Sequence, residues 1–311
     1  MGRYLARRLM QGLLVLLGVT LIVFLVIHWI PGDPGRAILG PKASPDAVAR
    51  LDAELGLDQS LPAQYLEYLG DLAHGDFGKS ITAHTSVWSL IGPRILRSLA
   101  LIVYAICISL VLAVPLAILS ALRANRLSDH VIRSVSVLLY AIPSFWIGLM
   151  LAVLFGLELH VFPTSGFDGT FPTGLFQTLT LPAITVALIT TPVILRILRS
   201  SMIDTLRSEF VTAARARGLQ EARILRRYVL RDSLTASVTF IGVAMGTLLS
   251  FAVVVEQVFA FPGLGSLLVT SVLARDYPTV QSLTLIFAIV VVLANLGADL
   301  TYRLLDPRVR L

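Results

Sequence analysis

Charge is scarce in this chain. Of 311 residues only 14% are Asp, Glu, Lys or Arg, against roughly 25% in soluble domains, while 56% are hydrophobic and the mean hydropathy is +0.83. That shortfall argues against a water-soluble enzyme. Cysteine is scarcer still. Cys107 alone allows no internal disulfide framework or multi-cysteine metal site, and its place in an apolar run makes it an expected core residue. Lysine is nearly absent, two residues against 23 arginines, a bias that carries no cargo signal. The five histidines, His28, His74, His84, His130 and His160, lack metal-ligand spacing. No GxSxG elbow exists and the apolar runs hold no paired carboxylates. The run HGDFGKS resembles a phosphate loop only at its end, because the Gly required five positions before Gly78 is Ala73. No catalytic residue, metal or bound cofactor is expected. Nor is nucleic acid expected, although the formal charge is +6, because the basic residues gather at the ends of apolar runs.

What the chain has is long apolar runs. A bilayer core of about 30 Å needs roughly 20 helical residues, and six runs qualify: 9–30, 98–122, 134–157, 176–195, 234–255 and 279–300. The first follows Arg3, Arg7 and Arg8, but it is too long for a signal peptide and no small-residue cleavage site follows. It is expected to be retained. Arginines orient the chain. Three precede the first run, three lie in 123–133, nine in 196–231 and three in 303–310, so 18 of the 25 basic residues share one side if the chain crosses six times. Both termini are therefore expected to be cytoplasmic. The opposite segment 159–175 has no Lys or Arg and 257–278 has only Arg275. The expected organisation is a cytoplasmic N-terminus and first helix (1–30), an extracytoplasmic helical cap (31–97), a five-helix core (98–303) holding a cytoplasmic loop (199–233), and a cytoplasmic tail (304–311).

Within the cap, Ser44, Pro45 and Asp46 read as a helix start stopped by Gly56, and Pro62 opens a second helix ending between Gly70 and Gly75. Pro115, Pro143 and Pro192 sit inside apolar runs, where each removes a helix hydrogen bond; a lining or hinge role and simple packing are equally open. Gly242 and Gly246 form a pair that lets another helix approach. The acids Glu256 and Asp299 fall at run ends, so ion-coupled transport, which usually places ionisable groups within the membrane, is disfavoured.

The most informative stretch is 199–234. Ile203, Leu206, Phe210, Ala213 and Ala214 recur at three and four, predicting one helix that ends near Gly218, and Ile224, Leu225, Tyr228 and Val229 predict a second. Such an Arg-studded hairpin could dock into a partner's groove or lie on anionic lipid.

Here the residues resemble a known family. EFVTAARARGL is similar to the EAA motif of ABC importer permeases, with Ala213, Ala214 and Gly218 at the core spacing. IPGDP (30–34), ELGLD (54–58), QYLEYL (64–69), GDFGKS (75–80), IPSFW (142–146), RSSM (199–202), FPGLG (261–265), DYP (276–278) and DPRVR (306–310) resemble, in order, the B-type permeases of dipeptide and oligopeptide importers. Two departures stand out: Thr212 replaces the motif's leading Glu, with Glu209 one turn earlier, and Asp232, Ser233 and Leu234 replace a Leu-Pro.

The resemblance implies an all-α polytopic membrane protein with six transmembrane helices, the type I ABC importer permease fold, in a bacterial cytoplasmic membrane. It implies a homologous second permease, two ABC ATPase subunits that use ATP and Mg, and an extracytoplasmic binding protein, beside membrane lipid. Glu209, Thr212, Ala213, Ala214, Arg215, Arg217, Gly218 and Leu219 would couple to the ATPases; Pro262, Gly263, Gly265, Asp276 and Tyr277 would meet the binding protein. Peptide is the expected cargo, with haem, nickel or glutathione as alternatives. A self-sufficient channel or carrier and a membrane-embedded enzyme are the rival classes.

Overall fold

The computed structural model describes residues 2–29, 44–46, 59–170, 173–234, 242 and 244–305. The described residues are helical apart from turns, loops and one isolated bridge between Lys79 and Ser86. They form two compact units, 1–96 with 266–292, and 97–265 with 293–311. The helices are α1 (Gly2–Trp29), α2 (Leu61–Ala73), α3 (Val87–Leu122), α4 (Leu127–Ala141), α5 (Ser144–Leu151), α6 (Thr173–Leu206), α7 (Glu209–Ala216), α8 (Glu221–Ile224), α9 (Met245–Val258), α10 (Leu264–Leu273) and α11 (Tyr277–Leu305). Wide π-helical turns extend α5 through Ala152–Glu158 and α8 through Leu225–Val229.

Among the described helices α1, α3, α6 and α11 are long and apolar enough to cross a membrane. The expected third run is not one helix. It breaks between α4 and α5 with a bend of 98°, because Pro143 drives Ile142 out of the helical region to φ −79°, ψ 132°. The expected fifth run lies partly outside the described residues, which cover its start at Leu234 and its end in α9. Residues 30–43 and 306–311, with IPGDP and DPRVR, also lie outside them, as do 47–58 with Gly56 and ELGLD.

In the first unit α1 meets α2 through aromatic contacts. Phe24 is buried, with ring centroids 5.3 Å from Tyr65 and 4.1 Å from His28, and Tyr65 Oη lies 3.0 Å from Thr20 Oγ1. The second cap helix is thus where Pro62 placed it, stopping at Gly75 with φ +79°. The phosphate-loop lookalike is a turn instead. Ser80 and Thr82 donate their hydroxyls and Ile81 its amide to the carboxylate of Asp276, at 2.5, 3.0 and 3.1 Å, and Thr279 adds a fourth bond of 2.9 Å.

In the second unit α6 is the central post. Of its apolar window 72% is buried, against 17%, 33% and 22% for α1, α3 and α11, and it touches α4, α5 and α9. Pro182 and Pro192 are both buried within it. Gly242 packs as its small size predicted: a Cβ there would overlap Ala298. Cys107 differs from expectation and is exposed, because an apolar helix in a membrane protein buries only the side that faces other helices.

Burial raises the pKa of Asp276, but its bonds from Ser80, Ile81, Thr279 and Thr82 outweigh this and hold the carboxyl below its ordinary value. A depressed folded pKa contributes stability that is present above the unfolded value near 3.9 and lost as pH falls through the folded one. Asp276→Ala is expected to cost about 2–3 kcal/mol at neutral pH, measured as a lower Tm of the purified protein. The gap from wild type should close only below about pH 4.

Candidate functional site

The Arg-rich segment folds as two short helices that meet around Gly218, as the apolar spacing predicts, but a further break comes before them. α6 runs unbroken to Leu206, then Ser208 (φ −69°, ψ 153°) resets the chain and α7 starts at Glu209. Arg207 N and Ser208 N close on Asp204 O and Thr205 O at 3.2 and 3.1 Å. The predicted single helix through 203–218 is therefore two.

The turn after α7 is a Schellman motif. Gly218 takes φ +76°, its amide donates to Arg215 O at 2.9 Å, and the amide of Leu219 donates to Ala214 O at 3.2 Å. A bidentate pair braces it across the turn, with Arg215 Nε 2.7 Å from Glu221 Oε1 and Nη2 3.3 Å from Oε2. That bond holds the Glu221 carboxyl below its ordinary pKa.

Each helix of the hairpin has an inner and an outer face. Val211, Ala214, Ile224 and Val229 are buried in one cluster with Leu198 and Met202 of α6 and Ala117 and Ala121 of α3, and Leu219 packs against it. Phe210, Thr212, Ala213, Arg215, Arg217 and Gly218 are exposed, as is Glu209. The apolar stripe differs from the predicted one at Phe210 and Ala213, which face outward, and includes Val211. Beyond the turn Thr205 Oγ1 donates to Asp232 Oδ2 at 2.7 Å, fixing the return of the hairpin to α6.

Two turns before Leu206 the same post is held by a buried ion pair. Asp129 is fully buried, and Arg199 donates to it from Nε at 2.8 Å and Nη2 at 2.7 Å. Ser120 Oγ (2.5 Å) and Asn125 N (2.8 Å) complete the shell. Sequence reasoning missed Asp129, Ser120, Glu221 and Asp232. A signal existed, since Asp129 is the only acid between Asp76 and Glu158.

The FPGLG segment is also built around an acid. Glu256 accepts from Ser98 Oγ at 2.6 Å and Gly265 N at 2.7 Å, and Ser98 Oγ accepts from Leu264 N at 2.8 Å. Gly263 and Gly265 are buried, and a Cβ on Gly263 would overlap that carboxylate. Asp276 is buried too, while Pro262 and Tyr277 are half-buried. Of the three prolines, Pro192 is buried in α6, Pro143 stands at the break, and Pro115 is exposed on an unbroken α3.

A family described as "Binding-protein-dependent transport system inner membrane component" matches residues 113–311, and its N-terminal companion matches 1–102. The chain belongs to this permease family. It is 36% identical to the oligopeptide transport system permease protein AppB of Bacillus subtilis (strain 168), covering 99% of each chain. It is 34% identical to the dipeptide transport system permease protein DppB of Escherichia coli (strain K12), covering 100% of this chain and 99% of that one. The glutathione transport system permease protein GsiC of Salmonella typhi is 35% identical over 100% and 99%. Inward-facing structures of the MetNI methionine ABC transporter match with a TM-score of 0.58 at 15% identity, over 70% of this chain and 96% of that one. An amino acid ABC transporter matches at 0.51. These structures show the fold, that of an ABC importer permease, and the family places this permease in the inner membrane as a multi-pass protein.

Arg199→Met leaves the buried Asp129 charge unpaired and is expected to destabilise the permease by about 3–5 kcal/mol. Asp129→Leu with Arg199→Met should recover most of that loss, as read by Tm of the purified permease; equal losses in single and double variants would contradict the pairing.

Proposed function

We propose that this permease is one membrane-spanning half of an ATP-driven importer that carries short peptides into the cytoplasm. Six crossings with both termini cytoplasmic put the Arg-rich hairpin on the ATPase side. The observation that carries the reading is the hairpin, closed by Gly218, anchored through Val211 and Ala214, with Phe210, Ala213 and Arg217 left outward. Such a surface transmits force without chemistry of its own, so ATP and Mg belong to two ATPase subunits. A second permease and an extracytoplasmic binding protein complete the assembly, the latter meeting the cap and Pro262 and Tyr277. Pro143 and Pro192 serve as hinge and packing points of a pathway that switches between two states.

Peptide as cargo rests on the relatives. The names of three full-length ones specify oligopeptide, dipeptide and glutathione transport, and these cargoes share a peptide backbone and carboxylates.

Purification in mild detergent is expected to recover a second permease and ATPase subunits with this chain. A chain that purifies alone and transports in vesicles without ATP contradicts the reading. Gly218→Glu adds a charge to the outward turn, and the positive φ adds about 1–2 kcal/mol of strain. It should abolish peptide uptake while membrane insertion and ATPase activity persist; normal uptake by the variant in cells would refute the coupling role.

A further inference from the structure

Helices α3, α4, α6 and α9 of the second unit line a partly open cavity of about 230 Å³. Its walls are mostly apolar, Ile189 and Phe251 among them, and Tyr140, Thr190, Thr247 and Arg196 supply its polar surface. The Thr190 hydroxyl is already engaged, 2.5 Å from Ser109 Oγ and 3.0 Å from Val186 O. Arg196 is different. One turn along α6 Arg199 is committed to Asp129, whereas among the described residues Arg196 has no hydrogen-bond or ion-pair partner.

Arg196 lines the cavity with its side chain exposed and uncommitted, and its planar fork matches a carboxylate through two parallel hydrogen bonds. The volume lies below the roughly 300–1,000 Å³ of sites that enclose a drug-sized ligand, so the cavity suits one end of a ligand. An apolar wall next to one cation fits a terminal carboxylate with an apolar side chain attached. A phosphate headgroup would call for several donors.

We propose that this cavity is a cargo subsite in which Arg196 takes the free α-carboxylate of a peptide while the C-terminal side chain packs on Ile189 and Phe251. The proposal rests on the peptide-import reading and sharpens it.

The test places a reporter thiol in the cavity of the assembled importer in neutral-lipid proteoliposomes, as Val193→Cys on a Cys107→Ala background, with Thr247→Cys as a second reporter. A membrane-permeant maleimide is the label. Millimolar Ala-Phe is expected to slow labelling at least threefold and Ala-Phe amide to leave it unchanged. Arg196→Gln should abolish the protection and Arg196→Lys should retain part of it. Equal protection by the amide, or protection that survives Arg196→Gln, overturns the proposal. So does protection by phosphatidylglycerol in place of peptide, which would give the cavity to lipid. ATP-driven uptake of Ala-Phe by the Cys107→Ala importer, measured separately, tests the peptide reading itself: uptake without protection sinks only the subsite, and no uptake of any peptide sinks the transport reading.

Discussion

A carboxylate shut away from water must be matched donor by donor, and Asp129 meets that demand by tying three pieces of chain together. Its oxygens take bonds from Ser120 at the end of α3, Asn125 in the turn, and both arms of Arg199 on α6. Desolvating the two charges consumes most of their attraction, so the pair contributes little net stability over an apolar substitute. What it supplies is orientation. A bidentate guanidinium fixes how α6 is turned about its axis, and α6 carries the rest. With Arg199 so placed, Leu198 and Met202 meet Val211 and Ala214, and Thr205 meets Asp232.

The same demand explains the other buried acids. Lipid offers no hydrogen bonds, so irregular backbone at membrane depth survives only where protein satisfies it. Glu256 takes the backbone amide of Gly265, just past the turn that follows α9, and the hydroxyl of Ser98 on α3, and Asp276 takes hydroxyls and an amide from the 80–82 turn. Each acid is consumed in holding a turn.

The long helices were legible because apolar length alone specifies them. Helix starts and stops were legible where proline and glycine act locally, as at Pro62, Gly75 and Gly218. The break of the third run was harder to read, since Pro143 was recognised as a kink site while the size of the bend, 98°, comes with the extended backbone of Ile142, which apolar spacing does not report. The hairpin's inner face was misassigned at Phe210 and Ala213 because the spacing was carried across Arg207 and Ser208 as if the helix continued. Resetting the chain there rotates everything after it. Asp129 and Glu221 were missed for a different reason: Arg199 lies 70 residues from Asp129, and Arg215 reaches Glu221 across a turn six residues on, and neither pairing leaves a periodic trace in sequence.

The replacement of the motif's leading Glu by Thr212 changes less than it first suggests. The turn does not need that acid, since Gly218 and Leu219 close it through backbone bonds and Arg215 is already satisfied by Glu221. What an acid at this position offers is a negative group on the outer face of α7. Glu209 lies three residues earlier, and residues at i and i+3 share a helix face, so the charge stays on the same surface about one turn toward the helix start. There it also opposes the positive end of the helix dipole. Among the described residues neither Glu209 nor Arg217 has a side-chain partner within the chain. The outward face therefore keeps a group of each sign flanking Phe210 and Ala213, and under the proposed coupling role an ATPase groove that accepts it would present a basic group near the start of α7.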